Sequence, residues 1–389
     1  MAKRKSSSKK EYNLAKIKVI GIGGAGNNAV SRMFDDFPKI IDLIAINTDI
    51  QDLDHTKAKK KIHIGKNITR GLGTGMNPDL GRQAAEENRT EIAEILNGAD
   101  MVFITAGFGG GTGTGAGPIV AEIAREMGIL TVAIITKPFA FEGFKRSQIA
   151  DEGISKLKER VDTLITIPND RIFSLIDKNT SLIKAFEEID EVLKNAVKGI
   201  TELIMSPGIV NVDFADVKAI MQGSGSAIIG IGISGGTERA VNAANFAINS
   251  PLLETTIDGA KGVLFSVSGR RDLKMNEIND VAKLISENVD QSAKIIFGTY
   301  FDKKLKSGQL KVTLVATGFN GVLNKPPNVS SLFAVDDFNE QEGKIVKKED
   351  LKENLKSEKE SKIKKEKNEE IKSDEDTWDI PSFLRKRKR

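Results

Sequence analysis

The sequence contains no cysteine and only two histidines, His55 and His63, among its 389 residues. The absence of cysteine excludes disulfides and thiolate metal sites, and it permits a reducing compartment. Histidine-based acid/base chemistry is disfavoured because both histidines lie in a charged, surface-like stretch. No apolar run approaches the roughly eighteen residues of a transmembrane helix, and the basic N-terminus lacks the apolar core of a secretion signal. We therefore expect a cytoplasmic protein.

A large excess of charge is also lacking, since 58 Lys and Arg residues stand against 54 Asp and Glu. This balance gives no reason to expect nucleic acid as a specific partner. The chain exceeds one typical core, so we expect two folded domains. From 336 to 376 Lys and Glu dominate, and such a segment cannot bury enough surface to fold. We expect a disordered basic arm at 1–12, a disordered charged linker at 323–376 and a peptide at 377–389.

Short runs rich in Val and Ile alternate with helical patterns in the first half of the chain. The runs are KIKVIGI (16–22), IDLIAINT (41–48), ADMVFITA (99–106) and ILTVAIIT (129–136). Apolar strands that alternate with helices, such as the pattern at 77–96, favour a parallel sheet covered on both faces. The later runs AIIGIGIS, GVLFSVSG and LKVTLVATG repeat the alternation. The sequence predicts an α/β fold with a Rossmann-like domain at 13–180 and a smaller α/β domain at 207–322.

A long helix is predicted between these two domains, at 181–206. Apolar residues recur there at three- and four-residue steps from Leu182 to Ile204, as on one face of a helix. Further apolar residues widen the stripe, so we expect packing on more than one side. The predicted length is about 39 Å, a full domain diameter. Pro207 and Gly208 should end the helix.

The first glycine-rich segment, GIGGAGNNAV, follows a predicted strand and opens a helix. Gly21, Gly23 and Gly26 fit G-x-G-x-x-G, and Asp49 follows the next strand at the spacing of an acid that binds a ribose hydroxyl. Backbone N–H groups at the helix N-terminus would bind a phosphate chain. Taken alone, the segment is compatible with an NAD-dependent oxidoreductase. It is also compatible with a tight turn that binds nothing.

The second segment, GFGGGTGTGAG at 107–117, holds seven glycines in eleven residues. Such a run costs conformational entropy, so we expect it to serve a purpose other than flexibility. It leads into a helix for which Pro118 suits the first position. Its N–H groups and threonine hydroxyls could surround an anion; the residues are Gly109, Gly110, Gly111, Thr112, Gly113, Thr114 and Gly115. A nicotinamide-binding domain has no use for a second phosphate loop, and the chain contains no G-x-x-x-x-G-K-[ST]. Two such loops suggest a longer phosphate chain.

Several strings together resemble the tubulin/FtsZ family. GGGTGTG at 109–115 is similar to the family signature, and GIGGAGNNAV resembles the first loop of the FtsZ branch rather than that of tubulin. KPFAFEGFKR, IPNDRIF, SPGIVNVDFADVK and GSAIIGIG extend the resemblance over about 13–320. It implies a GTPase that binds GTP or GDP with Mg²⁺ and assembles head to tail into filaments. It also implies a role in the septal ring at the mid-cell division site, as in the bacterial cell-division members.

The resemblance assigns residues to the phosphates and the ribose. The phosphate loops would comprise Gly23, Gly24, Ala25, Gly26, Asn27, Gly111, Thr112 and Gly113. Ala25 stands where many relatives have glycine, and its methyl is tolerable if φ is negative. Glu142 and Arg146 match positions near the ribose and phosphates, and their i, i+4 spacing predicts that they share one face of a helix. A surface ion pair is the simpler alternative for these two residues.

The long helix would recognise the guanine. Phe186 and Asp190 lie four residues apart and share a face, so the ring could stack on the base while the carboxylate accepts guanine N–H groups. Asn169 is similar to a family residue that also approaches the base. For Phe186, periodicity alone favours ordinary core packing over a contact with the base. Asp190 is harder to explain by packing because it interrupts an apolar flank.

Asn211, Asp213 and Asp216 cluster where a new helix would begin, so capping of that helix is one explanation. If the base lies near Asp190, about sixteen further helical residues, roughly 24 Å, separate it from these side chains. They could then reach only a nucleotide bound by a neighbouring subunit, as the family mechanism implies. Asp213 and Asp216 would orient a water for attack on the γ-phosphate. A nucleotide-regulated scaffold without turnover is the remaining alternative.

The C-terminal stretch DTWDIPSFLRKRKR combines apolar residues with a basic run. It resembles the C-terminal peptide of the family, which binds membrane-anchoring and regulatory division proteins. The predicted contact residues are Asp379, Ile380, Pro381, Phe383 and Leu384. A short helix that folds on docking would place the apolar residues on one face. The alternative is a non-specific basic tail that is attracted to anionic lipid or nucleic acid.

Overall fold

The computed structural model describes residues 15–174, 176–177, 179–205, 208–251 and 255–319. The predicted basic arm, charged linker and C-terminal peptide lie outside the described residues, as does Pro207. The domain boundaries given above therefore stay predictions. No helix in the described part of the chain is long and apolar enough to cross a membrane.

The strands of the described residues form one eleven-stranded sheet in the order β3-β2-β1-β4-β5-β6-β8-β11-β9-β10-β7. Their bounds are β1 Ile17–Ile22, β2 Asp42–Asn47, β3 Lys60–His63, β4 Met101–Gly107, β5 Leu130–Lys137, β6 Thr163–Pro168, β7 Gly208–Val210, β8 Gly225–Gly235, β9 Gly262–Gly269, β10 Lys294–Phe301 and β11 Gln309–Thr317. Neighbouring strands from β3 to β6 are all parallel. Strand β11 is antiparallel to both β8 and β9, while β10 is parallel to β9.

The helices cover both faces of this sheet. Their bounds are α1 Gly23–Met33, α2 Ile50–His55, α3 Lys66–Thr69, α4 Pro78–Glu87, α5 Arg89–Leu96, α6 Thr112–Glu126, α7 Phe144–Lys158, α8 Leu182–Met205, α9 Phe214–Met221, α10 Arg239–Ile248 and α11 Met275–Glu287. Short 3₁₀ segments span Ala140–Glu142 and Asn169–Ser174.

The N-terminal half confirms the predicted parallel sheet. All six residues of β1 are buried, and the first six of β4 are buried as well, as expected for strands covered on both faces. Two separate apolar clusters lie on the two sides of the sheet. The order 3-2-1-4-5-6 is that of a doubly wound fold, in which ligands bind outside the carboxyl ends of the strands where the order reverses. In this chain that place lies between β1 and β4.

The C-terminal half continues the same sheet. Only three residue pairs join β6 to β8, from Thr163 opposite Gly225 to Ile165 opposite Ala227. Beyond this seam α10 and α11 pack over a third apolar cluster that includes Phe265 and Val281. The second α/β unit that the sequence predicts is therefore present, but its sheet is hydrogen bonded to the first.

The long helix α8 runs from Leu182 to Met205 and is about 36 Å long. It contacts α1 on one side and β5 and β10 elsewhere, which agrees with the predicted packing on more than one side. The pattern at 77–96, in contrast, gives two helices rather than one. Asn88 interrupts it, because its backbone leaves the helical region and its Oδ1 accepts a hydrogen bond from Gly65 N at 2.9 Å.

Both edges of the sheet are short. Strand β3 has four residues, of which Lys60 and Lys61 are exposed, and β7 has three. Strand β7 pairs antiparallel with β10 and the register shifts between its two pairs.

Candidate functional site

A cleft of about 340 Å³ lies at the carboxyl ends of β1, β4 and β5, at the point where the strand order reverses. It collects twelve of the residues that the sequence singled out. These are Gly23, Gly24, Ala25, Gly110, Gly111, Thr112, Gly113, Glu142, Arg146, Asn169, Phe186 and Asp190. Gly26, Asn27, Gly109, Thr114 and Gly115 do not line it, and neither do Asn211, Asp213 and Asp216.

The first glycine segment brings the N-terminus of α1 to the cleft. Gly23 adopts φ +70°, and a Cβ there would lie 3.1 Å from Gly113 N, so the two segments approach closely. Gly26 has a different role, since its Cβ would lie 2.4 Å from Thr105 O on β4. The α1 helix can pack on the sheet only because that position is bare. Ala25 does not adopt a positive φ, so its methyl is accommodated as expected.

The second glycine segment is shorter as a loop than the sequence predicts. Helix α6 begins at Thr112, and Pro118 lies inside it rather than at its first position. The glycines of the first turns allow close packing instead of flexibility. A Cβ on Gly115 would lie 2.0 Å from Pro78 O on α4, and one on Gly113 would lie 2.8 Å from Gly107 O. Gly115 therefore serves helix packing, and only the residues up to Gly113 face the cleft.

The threonine hydroxyls of this segment are already engaged. Thr112 Oγ1 lies 2.7 Å from Thr48 Oγ1 and 3.3 Å from Thr74 Oγ1. Thr114 Oγ1 accepts a hydrogen bond from Gly109 N at 3.0 Å and is buried. Thr114 therefore fixes the loop, whereas Thr112 and Thr74 line the cleft.

Glu142 and Arg146 form an ion pair on the wall of the cleft, but they do not share one face of a helix as predicted. Glu142 ends a 3₁₀ turn, and α7 begins only after Gly143, which adopts φ +95°. Glu142 Oε1 also accepts a hydrogen bond from Phe139 N at 2.9 Å. The glycine lets the chain change direction, so the two side chains meet across a bend.

At the other end of the cleft lie Phe186, Asp190 and Asn169. Phe186 makes an edge-to-face contact with Phe139, with ring centroids 5.5 Å apart, and remains 41% exposed. One face of the ring is thus free to stack on a flat ligand. Asn169 is buried, and no described residue hydrogen bonds to its Oδ1. A buried polar atom without a partner is costly, so this acceptor is suited to a ligand N–H group.

Asp190 is buried, with 7% of the residue exposed. Its Oδ2 accepts a hydrogen bond from Arg32 Nε at 3.0 Å. Burial raises the pKa of Asp190 to about 6 although Arg32 opposes the shift. The carboxylate is therefore ionised at neutral pH and becomes protonated under mildly acidic conditions.

Asn211, Asp213 and Asp216 lie beyond the far end of α8. Asp213 is the N-cap of α9, and its Oδ1 accepts a hydrogen bond from Asp216 N at 2.8 Å. Asn211 Oδ1 accepts from Gly208 N at 2.6 Å. The capping explanation is thus correct for Asp213, whose second oxygen and exposed position leave it able to contact another molecule.

Asp49, the acid that suggested a ribose contact, does not line the cleft. It is the N-cap of α2 and accepts hydrogen bonds from Gln51 N and Asp52 N. Sequence reasoning missed several cleft residues, including Asn28, Thr74 and Thr136. Thr74 lies on a segment rich in glycines with positive φ, and that glycine density was the available signal. Asn28 follows Asn27 within the segment GIGGAGNNAV, and that position was the available signal, whereas Thr136 carries no comparable pattern.

Comparisons with known proteins agree with this geometry. Residues 16–177 match the GTPase domain of the Tubulin/FtsZ family. The fold and the glycine-lined cleft thus belong to a GTPase of the tubulin/FtsZ class, and the chain binds guanine nucleotide. Residues 225–320 match the C-terminal domain of the FtsZ family.

A solved "empty" FtsZ dimer from M. jannaschii is 50% identical, with a TM-score of 0.75, and the match covers 78% of this chain and 88% of that one. The chain therefore belongs to the FtsZ family, as its motifs predicted. A GTPgS-bound CetZ2 protofilament from Haloferax volcanii shares the fold at 22% identity and a TM-score of 0.68, with 79% of this chain and 94% of that chain covered. The comparisons give no support to an NAD-dependent oxidoreductase.

Proposed function

We propose that this GTPase hydrolyses GTP at sites shared between neighbouring subunits of a head-to-tail filament, and that the filament forms the septal ring at mid-cell. One observation carries the shared site. The two carboxylates that line the cleft, Glu142 and Asp190, are both ion paired with arginine. In the placement of GTP proposed below, Glu142 lies beside the ribose and Asp190 beside the base, so neither orients a water at the γ-phosphate and the cleft lacks a group that the reaction needs.

The cleft accommodates GTP in one direction. The helix N-termini of α1 and α6 meet near Gly23 and Gly113, and two such N-termini favour the triphosphate. Glu142 and Arg146 lie beside the ribose. Phe186 stacks on the guanine while Asp190 and Asn169 bind its polar edge.

Mg²⁺ fits this cleft as a phosphate-bound ion. No described group of three or more His, Cys, Asp or Glu residues forms a metal cage. The phosphate end offers hydroxyl oxygens instead, from Thr74 and Thr112, which are suitable hard donors beside phosphate and water. When bound there, Mg²⁺ would neutralise negative charge on the phosphates.

The missing carboxylates come from a second subunit. Asp190 lies fifteen residues before the end of α8, or about 22 Å along the helix, and Asp213 and Asp216 follow beyond that end. In a head-to-tail pair, Asp213 and Asp216 of one subunit face the γ-phosphate of the next and orient the water. This contact is heterologous and does not close, so it produces filaments. That the M. jannaschii relative was solved as a dimer supports self-assembly.

GTP hydrolysis as a function of protein concentration tests this proposal. We expect a rate near zero that rises beyond a threshold, because turnover needs two subunits. Asp213→Ala and Asp216→Ala should bind GTP and assemble but hydrolyse it poorly. Asp280→Ala, at an exposed aspartate on α11, is the matched control and should behave as wild type. A rate proportional to concentration from the lowest values, or normal turnover by both variants, would refute the shared site.

The C-terminal peptide provides the proposed link to other division proteins. We expect a chain truncated after Asp376 to keep its concentration-dependent GTPase rate, because every proposed site residue lies before it. In cells, this truncated chain should no longer localise to mid-cell. Normal septal localisation of the truncated chain, seen by fluorescence microscopy, would contradict the proposed role of the peptide.

A further inference from the structure

Arg32 lies directly behind the carboxylate that faces the base end of the cleft. Its Nε donates to Asp190 Oδ2 at 3.0 Å, and its Nη2 lies 3.5 Å from Glu187 Oε1. Among the described residues, Arg32 alone hydrogen bonds to the Asp190 side chain, and Asp190 lines the cleft. The other oxygen of Asp190 is therefore left for a ligand.

Arg32 lies on α1, the helix that runs from the phosphate end of the cleft toward its base end. It lies in the last turn of α1, which begins at Gly23 beside the second glycine segment. Nine residues of helix separate the two positions, or about 14 Å. Its side chain remains 34% exposed, so Arg32 is not a core residue on which the packing of α1 depends. Loss of its guanidinium should therefore affect Asp190 more than the fold.

Apart from Arg32, the charged groups near Asp190 disfavour its ionised form. Burial is the main cause of its raised pKa, and Glu187 and Glu191 on the same helix act in the same direction. The remaining charged groups are already paired. Glu142 and Arg146 on the opposite wall of the cleft bind each other, and Lys194 binds Glu191 and Asp36.

We propose that Arg32 is a positioning residue for guanine specificity, holding Asp190 as an oriented anion that accepts two hydrogen bonds from the base. The inference rests on the proposed placement of guanine at Asp190. Guanine presents two adjacent donors, N1–H and the 2-amino group, and an ionised carboxylate can accept both while Oδ2 also accepts from Arg32. A protonated carboxyl would present a donor there and lose the match.

Binding of GDP and inosine diphosphate to the full chain tests this role, because inosine lacks the 2-amino group but keeps N1–H. Affinities are measured by calorimetry from about pH 5.5 to about pH 8, near the pKa of Asp190. In wild type we expect GDP to bind more tightly than inosine diphosphate and to weaken as the pH falls through about 6. Arg32→Gln should shift this midpoint upward by about one unit, which lowers GDP affinity by about twofold near pH 7 and by nearly tenfold toward pH 5.5, below both midpoints. Its preference for GDP should fall as well.

Arg32→Lys keeps the charge and should hold the midpoint near that of wild type, although a single ammonium orients the carboxylate less well. Arg271→Gln, at an exposed arginine of the C-terminal half, is the control and should leave both affinities unchanged. Equal weakening of both nucleotides at every pH in Arg32→Gln would show a merely structural role and overturn the proposal. An unchanged midpoint and preference would overturn it too.

A different result would indicate that guanine itself is misplaced. If wild type shows no preference for GDP, or if Asp190→Asn keeps that preference, then the base does not lie at Asp190 and the proposed function fails at that point. If Asp190→Asn loses the preference while Arg32→Gln keeps it, only the role of Arg32 is refuted.

Discussion

Gly110 and Gly115 belong to one glycine-rich segment but should respond to alanine in opposite ways. A Cβ on Gly115 would lie 2.0 Å from Pro78 O and 2.7 Å from Arg82 N, which is 1.0 Å and 0.3 Å below the 3.0 Å limit that real Cβ atoms essentially never cross. Both contacts are with the backbone of α4, so the helix must move as a unit. A Cβ on Gly110 would meet no atom within 4 Å, yet Gly110 lines the cleft.

The magnitudes follow from these distances. Overpacking against a rigid element costs about 3 kcal/mol, and alanine in a helix returns about 1 kcal/mol relative to glycine. Gly115→Ala should therefore lose about 2 kcal/mol of folding free energy, or roughly 5 °C in Tm. Gly110→Ala should keep its Tm within about 1 °C because the site is open and φ is not positive. Its methyl would intrude on the phosphates and weaken GDP binding by about tenfold, or ~1.4 kcal/mol.

Thermal unfolding with and without GDP separates these effects, because a ligand raises Tm according to its affinity for the folded state. Gly115→Ala should show a lower Tm without nucleotide but a nearly normal increase on adding GDP. Gly110→Ala should show a normal Tm and a reduced increase. The reverse pattern, or a loss of Tm in both variants, would refute the division of the segment into a cleft part and a packing part.

The C-terminal half allows two further predictions. Arg239 is buried and bonded to Asp272 and Glu277. Arg239→Met should therefore lose about 2–3 kcal/mol at neutral pH, measured by urea unfolding, because Glu277 stays partly buried without its cationic partner and keeps only the hydrogen bond from Lys274 N. Arg239 also lowers the pKa of both carboxyls. Its stabilisation is therefore complete above their unfolded values near 4 and is lost as the pH falls below them. The difference between wild type and variant should narrow below about pH 4, and a constant difference would contradict this.

Periodicity and residue type were enough to predict most of the fold. Four predicted strands of the N-terminal half match β1, β2, β4 and β5 to within two residues at each end, because buried parallel strands are continuous runs of Val and Ile. The start of α6 at Thr112 was not predictable in this way, since glycine has the lowest helix propensity apart from proline. The close approach of α4 explains why Gly115 carries no side chain, and no local pattern reports that tertiary contact.

The candidate site likewise contains some features that local sequence patterns predict and others that only tertiary contacts determine. Spacing on α8 correctly placed Phe186 and Asp190 on one face, because i, i+4 neighbours in a helix must be adjacent. The same spacing failed for Glu142 and Arg146, where Gly143 breaks the helix between them. Arg32 was not singled out at all. It lies 158 positions before Asp190 in the chain, and no local pattern reports a contact over that separation.

The short edges of the sheet restrict how copies of this chain can meet. A free strand edge pairs readily with another, and long edges cause uncontrolled aggregation. Here one edge is the four-residue β3 with two exposed lysines, and the other is the three-residue β7. Neither offers enough backbone donors and acceptors to extend the sheet into a neighbour. Strand addition at these two edges is thus disfavoured, which leaves contacts between folded surfaces as the route by which copies of this chain would assemble.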